Sequence, residues 1–383
     1  MRRHLFEKDH DEFRLLIRDF IAREVSPHYD QWTKDGVVPR ELYSQLGEIG
    51  AAGIAIPEEY GGGGQEDYRY NAVLQEESAR ANVTLGTFRT HLDVVLPYML
   101  KLANAEQRDR WFPGLASGDL FLAIAMTEPG TGSDLAGVKT TAKRDGEHYV
   151  INGAKTFITG AELADLVIVL ARTADPGDGN RRNGLSLIVV EADTPGFEKG
   201  RRLEKIGMKV QDTLELSFTD VRVPVTNLLG EQDKGFSYLG HNLAQERLAI
   251  AVGSVAQSRA ALELTLDYVK NRGLFGTTVA AMQNTKFELA SVASEIEAAQ
   301  AMLDLGISEL LEDELSGADA AKIKLFCTEM QGRVMDRCLQ LHGGYGYILE
   351  YPIARLYTDA RVSRIYGGTS EVMKTIVSKS LGL

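Results

Sequence analysis

One ionisable pair, Glu246 and Arg247, stands at the start of an apolar run in the segment NLAQERLAIAV (242–252). The residues that follow continue at helical spacing, so the pair lies near the start of a long helix. Charged side chains are almost always exposed or paired, and this stretch alone favours a solvated position for Glu246. A carboxylate closed into an apolar pocket would instead have its pKa raised towards the working pH, which would make it a better proton acceptor. The segment therefore leaves open whether Glu246 is a solvated surface glutamate or a buried carboxylate.

A second candidate for chemistry is the segment AMTEPGTGSDLAG (125–137), which collects small, hydroxyl and turn residues in one loop. Such a loop lets backbone N–H groups and hydroxyls approach a flat polar ligand closely. Further along the chain, KTFITG (155–160) places an aromatic ring beside a hydroxyl. The loop lacks the spacing of the Gly-x-Gly-x-x-Gly dinucleotide fingerprint and leads into strands rather than a helix. Taken singly, the two segments indicate no more than a turn and the end of a strand.

Other reaction classes find no support in the sequence. Neither a His-Glu-x-x-His motif nor a Cys-x-x-Cys motif is present, so we expect no metal centre. A Gly-x-Ser-x-Gly nucleophile elbow is also missing. The net charge of -12 argues against a nucleic-acid partner. With two cysteines, no secretory signal and no apolar run of the ~20 residues that a membrane span needs, we expect a cytoplasmic protein without a membrane span.

The elements that must position these segments fall into three regions along the 383 residues. Apolar residues recur at helical spacing in residues 1–120. Short strands with turn signals between them fill residues 121–232 and predict a small antiparallel barrel or sandwich. Residues 233–383 consist of long helices with continuous apolar stripes, which predict a bundle. The fold class that we expect is therefore mixed α and β but mainly α, with a helical N-terminal domain, a central small β-barrel domain and a C-terminal four-helix bundle.

Local signals support this division. In the central region, the dipeptides Asp145-Gly146 and Asn152-Gly153 each predict a hairpin turn between β-rich runs. In the last region, two sets of apolar residues recur at every seventh position, namely Leu248, Val255, Leu262 and Val269, and then Leu289, Ile296, Leu303 and Leu310. Such a repeat is typical of one buried helix face, so these residues are predicted to form the core of the bundle.

Five segments, in the right order, resemble the acyl-CoA dehydrogenase family. They are the loop at 125–137, KTFITG at 155–160, NRGLFG at 271–276, LQLHGGYGY at 339–347 and RIYGGTSE at 364–371. The Thr-Glu-Pro-Gly-x-Gly-Ser-Asp loop is highly specific, and the resemblance extends over nearly the whole chain. It implies a helical N-terminal domain, a central β-domain, a C-terminal four-helix bundle, FAD as cofactor and assembly as a homotetramer.

The resemblance also implies which residues contact the flavin. These residues are Met126, Thr127, Ser133, Phe157, Ile158 and Thr159. Met126 and Thr127 would hydrogen-bond the pyrimidine edge, and Ser133 would contact both the flavin and the acyl-CoA. Phe157 would stack on the isoalloxazine, where family members often have Trp, and Phe keeps the stacking surface but lacks the indole N–H. Thr159 would donate towards flavin N5.

Further FAD contacts are implied in the C-terminal region. Arg272 and Phe275 resemble a pair that reaches the FAD pyrophosphate and adenosine of a neighbouring subunit. Arginine suits this role because its planar fork pairs with phosphate oxygens. The remaining implied contacts are Gln283, Gln340, Gly344 and Thr369.

The implied reaction needs a carboxylate base, which many family members carry as the second residue of Tyr-Glu-Gly-Thr. Here that motif reads Tyr-Gly-Gly-Thr (366–369), so the glutamate is absent. In the long-chain and isovaleryl-CoA branches the base lies on the bundle helix, in a segment that resembles AQERLAIA. The resemblance thus predicts Glu246 as the base and the backbone N–H of Gly367, with a flavin ribityl hydroxyl, as donor to the thioester carbonyl. Glu371 is the rival carboxylate, and Arg247 would reach the CoA phosphates or brace the helix.

The predicted activity is the FAD-dependent α,β-dehydrogenation of an acyl-CoA to the trans-2-enoyl-CoA, with electrons passed to an electron-transferring flavoprotein. The segment LHGGYGYILEYPIARLYTDARV (341–362) favours the long-chain branch, and a branched short-chain (isovaleryl-type) substrate is the alternative. A non-catalytic flavin-binding scaffold of the same fold is a second alternative. A flavin monooxygenase generally needs no carboxylate base, so the arrangement of Glu246 and Gly367 counts against it.

Overall fold

The structure is a computed structural model, and it describes residues 2–177 and 179–383. Its N-terminal part is helical, as the apolar periodicity predicts. The helices there are α1 Lys8–Phe20, α2 Tyr29–Asp35, α3 Glu41–Glu48, α4 Arg69–Arg80, α5 Phe88–Thr90, α6 Leu96–Leu102 and α7 Ala105–Ser117. A π-helical turn follows α1 at Ile21–Val25, and another joins α5 to α6 at His91–Val95. Such turns inside helical segments are frequent at functional sites.

Helix α7 connects the N-terminal helices to the central strands. Its first turn is a capping box, in which the Asn104 side chain accepts a hydrogen bond from the backbone N–H of Gln107 and the Gln107 side chain accepts one in return. The Gln107 amide then donates to the carbonyls of Thr226 and Leu228 at 2.7 and 2.8 Å. One buried side chain thus fixes both the start of the helix and its contact with the next domain.

The central part forms one sheet. Its strands are β1 Leu122–Ala125, β2 Thr141–Asp145, β3 His148–Thr159, β4 Leu166–Arg172, β5 Leu185–Glu191, β6 Phe197–Arg202, β7 Thr213–Pro224 and β8 Leu228–Leu229. The order is β6-β7-β3-β2-β4-β5-β8, with β1 parallel to β4 and most other pairs antiparallel. In the described part of the chain, the end strands β6 and β8 do not pair with each other, so the predicted barrel is open along this edge.

The sheet curls around an interior of its own. In β4, Val167 and Val169 join a cluster that also holds residues of β3, β6 and β7, whereas Ile168 and Leu170 on the opposite face join the core of the N-terminal helices. Because β4 is buried on both faces, it reads as a continuous apolar run rather than as an alternating one. The central domain is thereby held between its own strands and the helices.

One of the two predicted hairpins is correct and the other is wrong. Asp145 pairs with His148 across the β2–β3 turn, as the Asp-Gly dipeptide predicts. Asn152-Gly153 instead lies inside β3, at a shift in register opposite β7. A Cβ at Gly153 would lie 2.4 Å from Thr140 Oγ1, so the glycine is needed for close packing within the sheet rather than for a turn.

The C-terminal part is a helix bundle. Its elements are α8 Gly235–Asn271, β9 Gly273–Leu274, β10 Thr277–Thr278, α9 Gln283–Leu311, α10 Gly317–Leu341, α11 Pro352–Ala360 and α12 Ser370–Ser380. Helices α8, α9 and α10 pack pairwise, and the shorter α11 and α12 pack against α10. The apolar residues at every seventh position are confirmed as core, since Leu248, Val255, Ile296 and Leu303 share one buried cluster. Helix α4 packs against α8, which brings the N-terminal domain onto the bundle.

In the part of the chain that the structure describes, no helix has the length and apolar character needed to span a membrane.

Candidate active site

Glu246 lies in the interior, in the first half of α8, and is 5% exposed. Burial raises the pKa of its carboxyl to about 7, and a hydrogen bond from Tyr98 and the charge of Arg247 oppose this shift only in part. Of the two alternatives left by the sequence, a surface glutamate is therefore excluded. A carboxyl that titrates near neutral pH is suited to accept a proton during a reaction.

Tyr98, on α6, is the hydrogen-bond partner of this carboxylate. Its hydroxyl donates to Glu246 Oε1 at 3.0 Å, and its side chain is fully buried. Burial and the neighbouring carboxylate raise the pKa of Tyr98 well above the ordinary value, so the phenol retains its proton. Among the described residues, this is the single side-chain hydrogen bond to Glu246. The carboxylate is thus oriented from one side only, which leaves it capacity to accept a proton.

Arg247, the neighbour of Glu246, is also buried. Burial lowers the pKa of its guanidinium, although Glu246 opposes this. Its Nε is buried and makes no hydrogen bond to any described residue, so the structure shows no bracing bond at this atom. A role for Arg247 in substrate binding stays a prediction.

Gly367 lies on a strained turn where a side chain would meet Ile250. Its φ is +61°, in the left-handed region, and a Cβ there would lie 2.4 Å from Ile250 Cδ1. Ile250 follows Glu246 by one turn of α8. The space that a glutamate at 367 would need is therefore filled from the helix that carries Glu246.

Lys324, on α10, fixes the turn around Gly367. Its Nζ donates to the carbonyl of Tyr366 at 2.6 Å and also to the carbonyl of Gly368, the two residues that flank Gly367. The side chain is 1% exposed, and burial, with a smaller effect from Arg247, lowers its pKa to about 8. An ammonium held by two carbonyls defines the direction in which the N–H of Gly367 points.

The rival base is placed elsewhere. Glu371 is exposed in the first turn of α12, where the Thr369 hydroxyl caps the helix by accepting from the N–H of Val372 at 3.3 Å. An exposed carboxylate lacks the burial that raises a pKa towards neutrality. The geometry therefore favours Glu246 over Glu371.

The loop after β1, predicted to hold the flavin edge, is anchored by a buried ion pair. Lys155 Nζ donates to Glu128 Oε1 at 3.0 Å and to the carbonyl of Met126 at 3.1 Å. The carbonyl of Thr127 accepts from the N–H of Thr156 at 3.0 Å, which ties the loop to β3. Met126 and Thr127 are thereby held beside the end of β3.

The other implied flavin contacts take different positions. Phe157 is 66% exposed with a φ of +59°, an uncommon backbone state for an aromatic residue. Ile158 points into the interior of the sheet, so only its backbone is available to a ligand. Thr159 is half-buried at the end of β3, and Ser133 is exposed in the loop.

Two C-terminal residues predicted to contact FAD meet in one shallow cleft. Arg272 and Gly344 both line it, with the Arg272 guanidinium 5.1 Å from the ring centre of Tyr345. Phe275 follows on the β9–β10 turn, 91% exposed and with a φ of +48°. Gln283 and Gln340 are exposed outside the lining of this cleft.

The residues present fit a flavin dinucleotide. Thr131 Oγ1 is buried in the loop after β1 without a hydrogen bond to a described residue, and Gly130 and Gly132 on either side have open space around them. The exposed ring of Phe157 offers a stacking surface next to this loop. A flat heterocycle requires this arrangement, in which a polar loop with an unpaired hydroxyl lies beside an exposed aromatic ring.

A cleft opens between α4, the segment at 83–93 and α8. Its empty volume is ≈ 740 Å³, including the part open to solvent, and Ile250 and Tyr366 line it. Ile250 lies one turn after Glu246 on α8 and Tyr366 directly precedes Gly367, so this end of the cleft is the one nearest to the candidate base along the chain. Leu74, Val83 and Phe88 give it the apolar walls that an acyl chain requires.

Sequence reasoning missed two residues of this site. Tyr98 lies in an apolar helix where nothing marks it as functional. Lys324 does leave a signal, since it falls on the buried face of α10 beside Ile323 and Cys327, where a charged residue is not expected.

Comparison with known proteins shows what the chain is similar to. Three family profiles match in order: acyl-CoA dehydrogenase, N-terminal domain, over residues 7–119, middle domain over 123–221, and C-terminal domain over 233–382. The long-chain specific acyl-CoA dehydrogenase, mitochondrial, of Sus scrofa is 45% identical over 99% of this chain and 88% of its own length.

Solved structures show the same fold. An acyl-CoA dehydrogenase from Geobacillus kaustophilus superimposes with a TM-score of 0.96 at 43% identity and covers 100% of both chains. A glutaryl-CoA dehydrogenase from Mycobacterium smegmatis in complex with FADH2 superimposes with a TM-score of 0.89 at 27% identity, over 98% of this chain and 95% of the other.

Proposed function

The chain belongs to the acyl-CoA dehydrogenase family, and from this premise we propose that it converts a long-chain acyl-CoA to the trans-2-enoyl-CoA with Glu246 as the base. It is an oxidoreductase that acts on acyl-CoA, and its cofactor is FAD. The observation that carries the proposal is the burial of Glu246, which raises the pKa of its carboxyl to about 7. Ile250, one turn after Glu246, lines the cleft, so we place the part of an acyl chain next to the thioester at this end of it.

In the proposed reaction, Glu246 takes the proton from the α-carbon while the C–H bond at the β-carbon also breaks and a C=C bond forms. Bound FAD would supply the acceptor for the β-hydrogen and its electron pair. The N–H of Gly367 donates to the thioester carbonyl, which acidifies the α-proton, and Lys324 positions that N–H through the flanking carbonyls. Tyr98 keeps the carboxylate oriented.

The test is Glu246→Gln in the holoenzyme. The amide keeps the size of the side chain but accepts no proton, so the variant retains the yellow absorbance of bound FAD and fails to bleach on anaerobic addition of a long-chain acyl-CoA. General-base catalysis typically contributes about 10²- to 10⁴-fold, and we expect turnover with an artificial acceptor to fall by that factor. The exposed carboxylate variant Glu371→Gln is the control and should bleach normally. Bleaching of Glu246→Gln at the wild-type rate would exclude Glu246 as the base.

Long-chain specificity is supported by the name of the Sus scrofa relative and by the segment at 341–362. A survey of kcat/KM over straight acyl-CoAs of increasing length and over isovaleryl-CoA tests it. A maximum with a straight long chain supports the proposal, and a maximum with isovaleryl-CoA supports the branched alternative. Failure of every acyl-CoA to bleach the flavin would favour a scaffold.

We further propose that the protein is a homotetramer which passes electrons to an electron-transferring flavoprotein. Support for the assembly comes from Phe275, which is 91% exposed on the β9–β10 turn, three residues after Arg272 at the end of α8. An aromatic side chain so exposed is suited to contact another subunit. Light scattering of the wild type and Phe275→Ala tests the assembly, and flavoprotein reduction in a mixed assay tests the acceptor.

A further inference from the structure

The cleft beside α8 has polar residues on several of its walls, and the wall formed by α4 and the segment at 83–93 is one of them. Leu74, Val83 and Phe88 are apolar, but Gln75 of α4 and Asp93 of the π turn line the same space. Both are buried, at 7% and 2% exposure, and the Gln75 amide nitrogen donates to Asp93 Oδ2 at 2.8 Å. Buried polar groups in a pocket for a hydrocarbon chain are unfavourable unless something pairs with them.

Arg89 and Asn71 complete this wall. The amide of Asn71 donates to Asp93 Oδ1 at 2.8 Å, so both carboxylate oxygens of Asp93 have a donor. Arg89 Nη2 donates to the hydroxyl of Tyr366 at 3.3 Å. The wall thus contains one cation, one carboxylate and two amides, all lining the cleft.

Two atoms of this wall have no partner among the described residues. Arg89 Nη1, a donor, and Gln75 Oε1, an acceptor, are both buried without a hydrogen bond. A Cβ at Gly253 would lie 2.9 Å from Gln75 Oε1, which places this acceptor directly opposite α8. Leaving a buried donor or acceptor unpaired is unfavourable, so an unsubstituted chain would bury both atoms at a loss.

The charges decide which chemical group fits. The positive charge of Arg89 is balanced by Asp93, whose pKa burial raises to about 6, with Arg89 and the two amides opposing the shift. Asp93 is therefore mostly ionised at neutral pH, and Asp359 lines the same cleft, so a carboxylate on the bound chain would meet like charges. A hydroxyl is neutral, and it accepts one hydrogen bond and donates another. It matches one unpaired donor and one unpaired acceptor.

From this juxtaposition we propose that the cleft selects acyl-CoAs whose chain carries a hydroxyl group, held between Arg89 Nη1 and Gln75 Oε1. The inference rests on the proposed function and specifies the substrate class of that same site. Gly253 lies seven residues after Glu246, which is about 10 Å along a helix. The hydroxyl therefore belongs to the distal part of the chain and not to the carbons that react.

The experiment measures kcat/KM of the holoenzyme with an artificial acceptor. The substrates are acyl-CoAs of one chain length, either unsubstituted, with one hydroxyl at successive distal carbons, or with a terminal carboxylate. We expect a hydroxyl at one position to raise kcat/KM about tenfold over the unsubstituted chain, since pairing the two atoms is worth on the order of 1.4 kcal/mol. The terminal carboxylate should be the poorest substrate.

Two variants and one control sharpen the result. Gln75→Leu and Arg89→Met each remove one partner, and each should abolish the preference for the hydroxyl and improve the unsubstituted chain. The control Gln300→Leu on α9 removes a similarly buried glutamine whose amide donates to Asp304. It should keep the wild-type ratio of kcat/KM between the hydroxylated and the unsubstituted chain.

Three outcomes would overturn the inference: equal rates for hydroxylated and plain chains in the wild type, a preference for the carboxylate, or an unchanged ratio in folded Gln75→Leu and Arg89→Met. In each case plain acyl-CoAs still bleach the flavin, so the proposed function survives. If no acyl-CoA bleaches the flavin, the proposed function itself fails.

Discussion

Two glutamates of this chain are buried to nearly the same extent, and their carboxyl pKa values move in opposite directions. Glu246 is 5% exposed and Glu128 is 7% exposed. Burial raises the pKa of Glu246 to about 7. The pKa of Glu128 is also pushed up by burial, but the charge of Lys155 and hydrogen bonds from Thr140 and Lys139 outweigh this and hold it below the ordinary value.

The number of donors explains the difference. Glu128 accepts from the N–H groups of Lys139 and Thr140 at 2.8 and 2.9 Å and from Lys155 Nζ at 3.0 Å. Glu246 accepts one side-chain hydrogen bond, from Tyr98. A carboxylate whose lone pairs are satisfied stabilises a loop, whereas one with a single donor keeps its affinity for a proton. Burial by itself therefore does not identify a catalytic base.

The largest expected effect tests the structural member of this comparison. Lys155→Met leaves Glu128 buried without its cation, and breaking a buried pair from one side costs about 3–5 kcal/mol. We expect that loss in the free energy of unfolding, measured by denaturant titration, together with weaker FAD retention. Arg181→Met is the matched control, since Arg181 pairs with Asp134 in an exposed position, and it should lose less than about 1 kcal/mol. Equal losses in the two variants would contradict the comparison.

The next largest effect concerns the site of the catalytic member, Glu246, at the turn that Lys324 holds. Lys324→Met removes the donor that holds the carbonyls on both sides of Gly367, so kcat should fall about 10- to 100-fold, as expected for a hydrogen bond from a charged group. KM should change less, because the thioester contact matters most in the transition state. Lys322→Met on the same helix, which removes a partly exposed pair with Asp319, should leave kcat unchanged. A pure rise in KM would show that Lys324 does not position the turn.

A smaller effect tests the exchange between Glu246 and Gly367. Gly367→Ala places a methyl 2.4 Å from Ile250 Cδ1 on a left-handed backbone, and such overpacking costs about 1–3 kcal/mol of stability. Adding Ile250→Val should recover part of the loss, measured by thermal unfolding, because the clashing methyl is removed. A fully stable Gly367→Ala would show that this position tolerates side chains.

The smallest effect concerns pH. The base works when deprotonated, so kcat/KM of the wild type should rise as the pH increases through about 7, the pKa of Glu246. Tyr98→Phe removes a donor that lowers this pKa, and the rising limb should move to higher pH. The stability of the protein changes in the opposite direction. Because the pKa of Glu246 is higher in the folded than in the unfolded protein, the free energy of unfolding falls as the pH rises from about 4.5 to about 7. Glu246→Gln should flatten that decline, and an identical decline in the variant would contradict the raised pKa.

The sequence predicted much of the fold and part of the site. The structure confirms the helices of the two terminal regions, the strands of the central region and the seven-residue apolar spacing in the bundle. They are local properties, set by which residues alternate along a few turns or one strand. The prediction of a turn at Asn152-Gly153 was wrong because Gly153 is required by its close packing against Thr140. A dipeptide does not reveal such a contact within the sheet.

By itself, the sequence determined the family of the chain, its candidate cofactor residues and the exchange of a glutamate at 367 for one at 246. Only the tertiary structure decided that Glu246 is buried, that Tyr98 is its single side-chain donor among the described residues and that Lys324 holds the turn at Gly367. The physical reason is that a pKa depends on desolvation and on donors brought from elsewhere in the chain. Tyr98 precedes Glu246 by 148 residues, and Lys324 lies 42 residues before Tyr366. Motifs determine which groups are present. Packing determines which of these groups are desolvated and which of them keep hydrogen-bond partners.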